Sequence, residues 1–261
     1  MIDTISRLGR NTMASIMRAG TRSRFLFEVL LHTRASLSRP RLTLREIYFS
    51  GVMSLVIIMV SGMFVGMVLG LQGFETLQKY GAQEQMGVLA ALSLVRELGP
   101  VVSALLFASR AGSAITAEIG LMKTTEQLKA MDMMAIDPIA RVVAPRFWAG
   151  VISMPLLAAL FSMAGIMGAF VVAKILIGID AGVFWGNMQA AVDTQYDILN
   201  GVVKSVVFGV AIATIATFEG FDAEPTAEGV SAATTRTVVT SALSVLALDL
   251  VLTGFMLRTP H

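Results

Sequence analysis

Residues 47–71, IYFSGVMSLVIIMVSGMFVGMVLGL, decide the fold: 25 consecutive positions contain no Asp, Glu, Lys, Arg or His. About 20 helical residues cross the ~30 Å hydrocarbon core of a bilayer. Lipid offers no partner to a backbone N–H or C=O, so a crossing segment must satisfy them within itself, as a helix does. No segment alternates with period two in the manner of a barrel strand. Outward from this stretch, residues 86–109, 147–173, 198–218 and 237–257 have the same apolar character. Hydrophobic residues make up 55% of the 261-residue chain and charged ones 15%, with a mean hydropathy of +0.74, whereas soluble domains carry roughly 25% charge. A soluble globule is excluded. The reading is an all-α membrane protein with five transmembrane helices.

The chain contains no cysteine and two histidines, His32 and His261. Disulfides, thiolate metal sites and cysteine nucleophiles are therefore ruled out, and no metal centre is expected. Nine arginines against three acids, Asp3, Glu28 and Glu46, fill the first 46 residues with no long apolar run, which argues against a cleavable signal peptide. Ile2, Ile5, Leu8, Ile16, Met17 and the cluster 25–31 supply apolar faces for an amphipathic interfacial segment over residues 1–40, its Arg side toward anionic lipid and Pro40 at its end. Residues 41–261 then form the membrane domain. Fifteen of the twenty Lys and Arg fall in the N-terminus and in segments 110–146 and 219–236, which places the N-terminus in the cytoplasm and the C-terminus outside.

Gly62, Gly66 and Gly70 recur every fourth residue and leave one helix face bare for close packing. Arg96, Glu97, Lys204 and Asp249 are ionisable residues inside apolar spans, where each costs about 2.5–3.5 kcal/mol on insertion scales for Arg, Lys or Asp at the bilayer centre. Glu97 lies about 16 Å along its helix from Met86, close to the midplane. Gly99 and Pro100 loosen the same helix. Either these groups line a polar cavity opening outward, or they lock the bundle as buried ion pairs. In the first reading Glu97 pairs with Lys204, and Asp249 balances Arg96. Seventeen Met add adaptable apolar surface suited to an acyl chain.

Between the second and third spans, Thr124 and Gln127 form a capping-box pattern. Leu121, Leu128, Met131 and Met134 recur near helical spacing among Lys123, Glu126, Lys129 and Asp132. A short cytoplasmic helix over about 124–134 either lies on the membrane or docks into a groove on a partner. The chain has no G-x-x-x-x-G-K-[ST] motif, so ATP binding by that route falls to another subunit. H-E-x-x-H and G-x-S-x-G are also missing, and the sequence carries no enzymatic signature.

LSLVRELGPVVSALLFASRAGSAITAEIGLMKTTEQLKAMDMMAIDP at 92–138 and PRFWAGVISMPLL at 145–157 resemble the MlaE permease family of bacterial lipid-transport ABC systems. So do SGMFVGMVLGLQGF at 61–74, KSVVFG at 204–209 and ATTRTVV at 233–239. The likeness runs from about residue 41 to the C-terminus and departs mainly in the first 40 residues and in the loop 174–196. It implies a homodimeric inner-membrane permease moving glycerophospholipid, with no cofactor of its own. ATP would be hydrolysed by a cytoplasmic MlaF-like ATPase accompanied by a small MlaB-like STAS-domain protein, and a periplasmic MlaD-like MCE-domain ring would continue the lipid path. By the same likeness Arg96, Glu97 and Lys204 match a polar lining, and Leu69, Leu77, Tyr80 and Leu98 match apolar or rim positions. Lys204 and Arg96 are expected to contact the phosphate or headgroup, Glu97 to hold these basic groups in place, and Asp249 to be the supporting acid. Thr124, Glu126, Leu128, Met131, Asp132 and Met134 would belong to the coupling helix gripped by the ATPase. Two other readings compete: an ion-coupled secondary transporter using Glu97 and Asp249 as proton carriers, and a scaffold that anchors a periplasmic ring without moving lipid.

Overall fold

The computed structural model describes residues 20–33 and 40–256, and every residue range with regular structure among them is helical. A short helix α1 covers residues 20–31. The first span, α2, runs Pro40–Gln78 and the second, α3, Gln83–Thr124. The short α4, Gln127–Met133, precedes the third span α5, Ile139–Ile177. A further helix α6, Ala181–Ala191, leads to the fourth span α7, Thr194–Asp222, and the fifth, α8, Ala227–Met256. All five segments read as spans are present, each extended beyond the apolar stretch that marks it.

The largest extension is in α3, which continues 15 residues past position 109 as one helix. No proline interrupts 101–124, and Ile115, Thr116, Ile119 and Gly120 share a buried face. There the Thr116 hydroxyl bonds the Ala216 carbonyl at 2.9 Å and lies 2.9 Å from the Thr237 hydroxyl, joining α3, α7 and α8. The start of the segment read as a cytoplasmic connection thus continues the span as one helix, held by tertiary contacts. The loop 174–196 also contains order that hydropathy did not reveal. Gly178 takes the left-handed φ of +82° that ends α5, and the Asp180 carboxylate accepts from the N–H groups of Gly182 and Val183 to start α6.

The most buried helix is α5, and α8 is the least buried. Gly62, Gly66 and Gly70 of α2 lie against α5. A Cβ on Gly62 would stand 2.7 Å from the Phe161 carbonyl oxygen, and one on Gly66 would collide with the Gly165 carbonyl. Bare backbone on both helices permits an approach that any side chain would forbid. Phe107, Phe161, Phe208, Met154 and Ile212 fill the centre between α3, α5 and α7.

Within the N-terminal segment, α1 buries Phe25 and Val29 against Phe147 and Phe218, while Phe27 and Leu31 are exposed. Part of the apolar face expected to meet lipid is therefore taken up by α5 and α7. Ile2, Ile5, Leu8, Ile16 and Met17 lie outside the described residues.

Candidate functional site

The N-terminal half of α3 loses its regular helical hydrogen bonding over Leu94–Leu98, a π-helical turn in which the Gly99 N–H reaches back to the Leu94 carbonyl. Pro100 has no N–H to continue the ladder. The Ser162 hydroxyl of α5 bonds the Leu94 carbonyl at 3.2 Å. Turns of this kind recur at functional sites because they swing side chains out of helical register. Here the turn carries Arg96 and Glu97.

Glu97 points toward α7 and α8. The Lys204 ammonium donates to Glu97 Oε2 at 2.6 Å and to the Thr253 hydroxyl at 2.7 Å. The same hydroxyl lies 3.2 Å from Glu97 Oε2, in position to donate to it. Asp249 Oδ1 lies 3.1 Å from Nζ but outside hydrogen-bonding directions, so that contact is coulombic. The Lys204 side chain is 2% exposed, whereas the Glu97 and Asp249 side chains are 42% and 23% exposed. The cation is enclosed; its carboxylates form the open side.

Arg96 turns the other way. Its Nε and Nη2 bind Asp197 Oδ1 at 2.6 and 2.5 Å, and Asp197 is fully buried. The second Asp197 oxygen accepts the Asp193 N–H at 3.0 Å, and the Arg96 guanidinium lies over the Tyr196 ring. The expected pairing of Asp249 with Arg96 is therefore wrong. Neighbouring helical residues point about 100° apart, so Arg96 finds the first turn of α7 while Asp249 joins Glu97 at Lys204. Asp197, Tyr196 and Thr253 escaped the sequence reading. Asp197 sits just outside an apolar span, and Thr253, one turn beyond Asp249, was the available signal.

Leu69 and Leu98 are partly buried against the central core. Leu77 packs in an outer cluster with Met86 and Phe184. Tyr80, in the α2–α3 turn, is exposed. Beside the kink, a groove of about 300 Å³ runs between α3, α5, α6 and α7. Val95, Pro100, Met163, Ile166, Met167 and Ile198 line it, an apolar surface suited to hydrocarbon.

At the other end of the bundle, Thr124 does not cap α4. Its hydroxyl bonds back to the Leu121 carbonyl, and Glu126, at the left-handed φ of 58°, begins the new helix. Leu128 is buried with Ile115, Ile119 and Val142, and Met131 packs on the same cluster. These two, expected to face a partner, bind α4 to its own chain instead, because their spacing follows the face turned toward α3 and α5. Glu126, Lys129, Asp132 and Met134 are exposed, as is Met133 at 89%.

A family model described as Permease MlaE matches residues 43–255. The chain is 52% identical over 256 residues, 98% of each chain, to the intermembrane phospholipid transport system permease protein MlaE of Haemophilus influenzae. It is 32% identical over 266 residues, 99% of each chain, to a probable ABC transporter permease protein of Rickettsia typhi. It is also similar to the chloroplastic protein trigalactosyldiacylglycerol 1 of Arabidopsis thaliana, 30% identical over 218 residues, covering 84% of this chain and 62% of that one.

Proposed function

Because the chain belongs to the MlaE permease family, we propose that it is the membrane-spanning subunit of an ABC system that moves glycerophospholipid between the bacterial inner membrane and a periplasmic MlaD-like MCE-domain ring. Maintenance of outer-membrane lipid asymmetry is the corresponding role. In this reading the permease is a homodimer with a cytoplasmic N-terminus and a periplasmic C-terminus. An MlaF-like ATPase with its MlaB-like STAS-domain companion supplies the energy, and the chain itself hydrolyses nothing. The exposed face of α4, with Glu126, Lys129, Asp132, Met133 and Met134, is the surface offered to that ATPase.

One observation carries the assignment: Arg96 and Glu97, opposite in charge and each about two-fifths exposed, stand on one π-helical turn at membrane depth beside an apolar groove. A phospholipid offers the matching combination of a polar head and hydrocarbon tails. Its phosphate meets Arg96, where an incoming oxyanion competes with Asp197 for the guanidinium. Lys204 does not contact the phosphate directly in this arrangement. It holds Glu97 and Asp249 in place, and Leu69, Leu77, Tyr80 and Leu98 border the path.

The test is lipid flux in proteoliposomes containing the complete complex. Glu97→Lys exchanges one intramembrane charge for another, so insertion and assembly are retained while ATP-driven flux falls at least about tenfold, the cost of one or more charge-assisted contacts. Wild-type flux in this variant overturns the site. The sharing of one buried lysine by two partly exposed carboxylates also suits a proton carrier. Flux driven by a proton gradient in the absence of the ATPase would replace the ABC reading with that one.

A further inference from the structure

Arg110 lies 14 residues beyond Arg96, about 21 Å further along α3 toward the end taken above as cytoplasmic. Like Arg24, Arg41, Arg45 and Arg141, it has no carboxylate within ion-pair distance among the described residues. Arg22, Arg96, Arg146 and Arg236 are each paired with one. Among the described residues the Arg110 Nη1 donates to the Phe49 carbonyl at 3.0 Å and the Ser54 hydroxyl at 3.2 Å. Both acceptors belong to or adjoin the π-helical turn Tyr48–Val52 of α2. These two bonds fix the guanidinium at the mouth of a groove of about 360 Å³ whose other lining is Met53, Val56, Ile57, Val60 and Ser61 of α2. Val56, Ile57 and Val60 are all exposed there.

We propose that Arg110 and this α2 groove form a second phospholipid site in the cytoplasmic leaflet, separate from the Glu97–Lys204 cluster, with the lipid phosphodiester on Arg110 and an acyl chain along Val56 and Val60. A guanidinium at the membrane boundary of a span, without a carboxylate, needs an anion or the headgroup layer. A phosphodiester oxygen accepts a charge-assisted hydrogen bond from it, held by its positive charge. The groove supplies apolar surface continuous with that charge, which is the shape of a phospholipid near its glycerol. A second copy docking through the same face would bring no carboxylate: Glu46 of α2 is bound to Arg146, and Glu75 lies near the far end of the helix. An isologous contact would instead set like charges near each other.

The experiment places photoreactive benzoylphenylalanine at position 60 or, as a lipid-facing control, at position 243 in the full chain. Each protein is irradiated in nanodiscs of phosphatidylethanolamine and phosphatidylglycerol, and adducts are identified by mass. The expected result is a phospholipid adduct at position 60 that Arg110→Gln lowers about tenfold, as the loss of a charge-assisted contact would, with the adduct at 243 unchanged. Arg110→Lys, which keeps a point charge able to bind phosphate, stays within about twofold of the parent. An adduct at 60 indifferent to Arg110→Gln overturns the proposal, as do adducts solely between two copies of the chain. If Arg110→Gln lowers both positions together, Arg110→Lys decides alone, and its falling to the level of Arg110→Gln is again an overturning result. Because transport is not the readout, failure here is distinguishable from failure of the proposed function.

Discussion

Helix α7 carries a buried ion cluster at each end, and the two are built in opposite sense. Toward the N-terminal end, one cation, Lys204, is held by the carboxylates of Glu97 and Asp249. Toward the other, about 22 Å away along the helix, one carboxylate, Glu219, is held by the guanidiniums of Arg22 and Arg236. Glu219 divides its oxygens, Oε1 to Arg22 on α1 and Oε2 to Arg236 on α8 at 2.9 Å, and so ties three helices together. Nearby, the Lys123 ammonium of α3 bonds the Phe221 carbonyl at 2.7 Å, adding a fourth. The Glu219 cluster therefore spends its charges on architecture. The Lys204 cluster leaves two carboxylates partly open, Glu97 on a loosened helix and Asp249 on α8, where a ligand can still reach them. Buried charge alone does not separate the two clusters; the exposure of the carboxylates does.

Substitutions break this comparison with graded force. The largest expected effect is that of Glu219→Ala, which leaves two guanidiniums facing an emptied buried position. Loss of one partner from a buried pair costs 3–5 kcal/mol, reduced here to about 3 kcal/mol because Arg236 reaches solvent. Thermal unfolding in detergent would show the drop, and an unchanged Tm would remove the architectural role. Lys204→Met comes next. It removes the shared cation while Glu97 and Asp249 keep access to water, so the cost in stability is about 2 kcal/mol, smaller than at Glu219, while flux in the assembled complex falls more than stability does. Equal effects on Tm from the two substitutions would erase the distinction between the clusters. The smallest is Thr253→Val, which deletes the hydroxyl linking Lys204 to Glu97 at a cost of about 1 kcal/mol; a several-fold reduction in flux with assembly intact is the expected reading.

The extent to which these features were legible varied with the physics behind them. Each span was visible from local composition, since transfer of an apolar helix into lipid depends on what the segment contains and hardly on its neighbours. The Arg96–Glu97 turn announced itself through Gly99 and Pro100, because backbone chemistry is local too. The choice of Asp197 over Asp249 as the partner of Arg96 was not legible, as it depends on how α7 and α8 are rotated about their axes. Leu128 and Met131 misled for a related reason. The periodicity of a seven-residue helix identifies an apolar face without saying whether that face meets a partner or the chain's own α3 and α5. The α6 helix was signalled by Gly178 and Asp180, but a search for long apolar runs passes over an 11-residue helix.

The amino-acid sequence by itself determined that five helices lie in lipid, that α2 presents a glycine face, and that a few charges must be accommodated at depth. Those are consequences of solvation and covalent structure, decided residue by residue. Only the tertiary structure decided which charges meet, which of them stay open, and which end of α7 is held rigid. Ion pairing falls off within a few ångströms, and the separations here join positions 96 with 197 and 97 with 204. Such distances exist only after helix packing has set depth and rotation for every side chain.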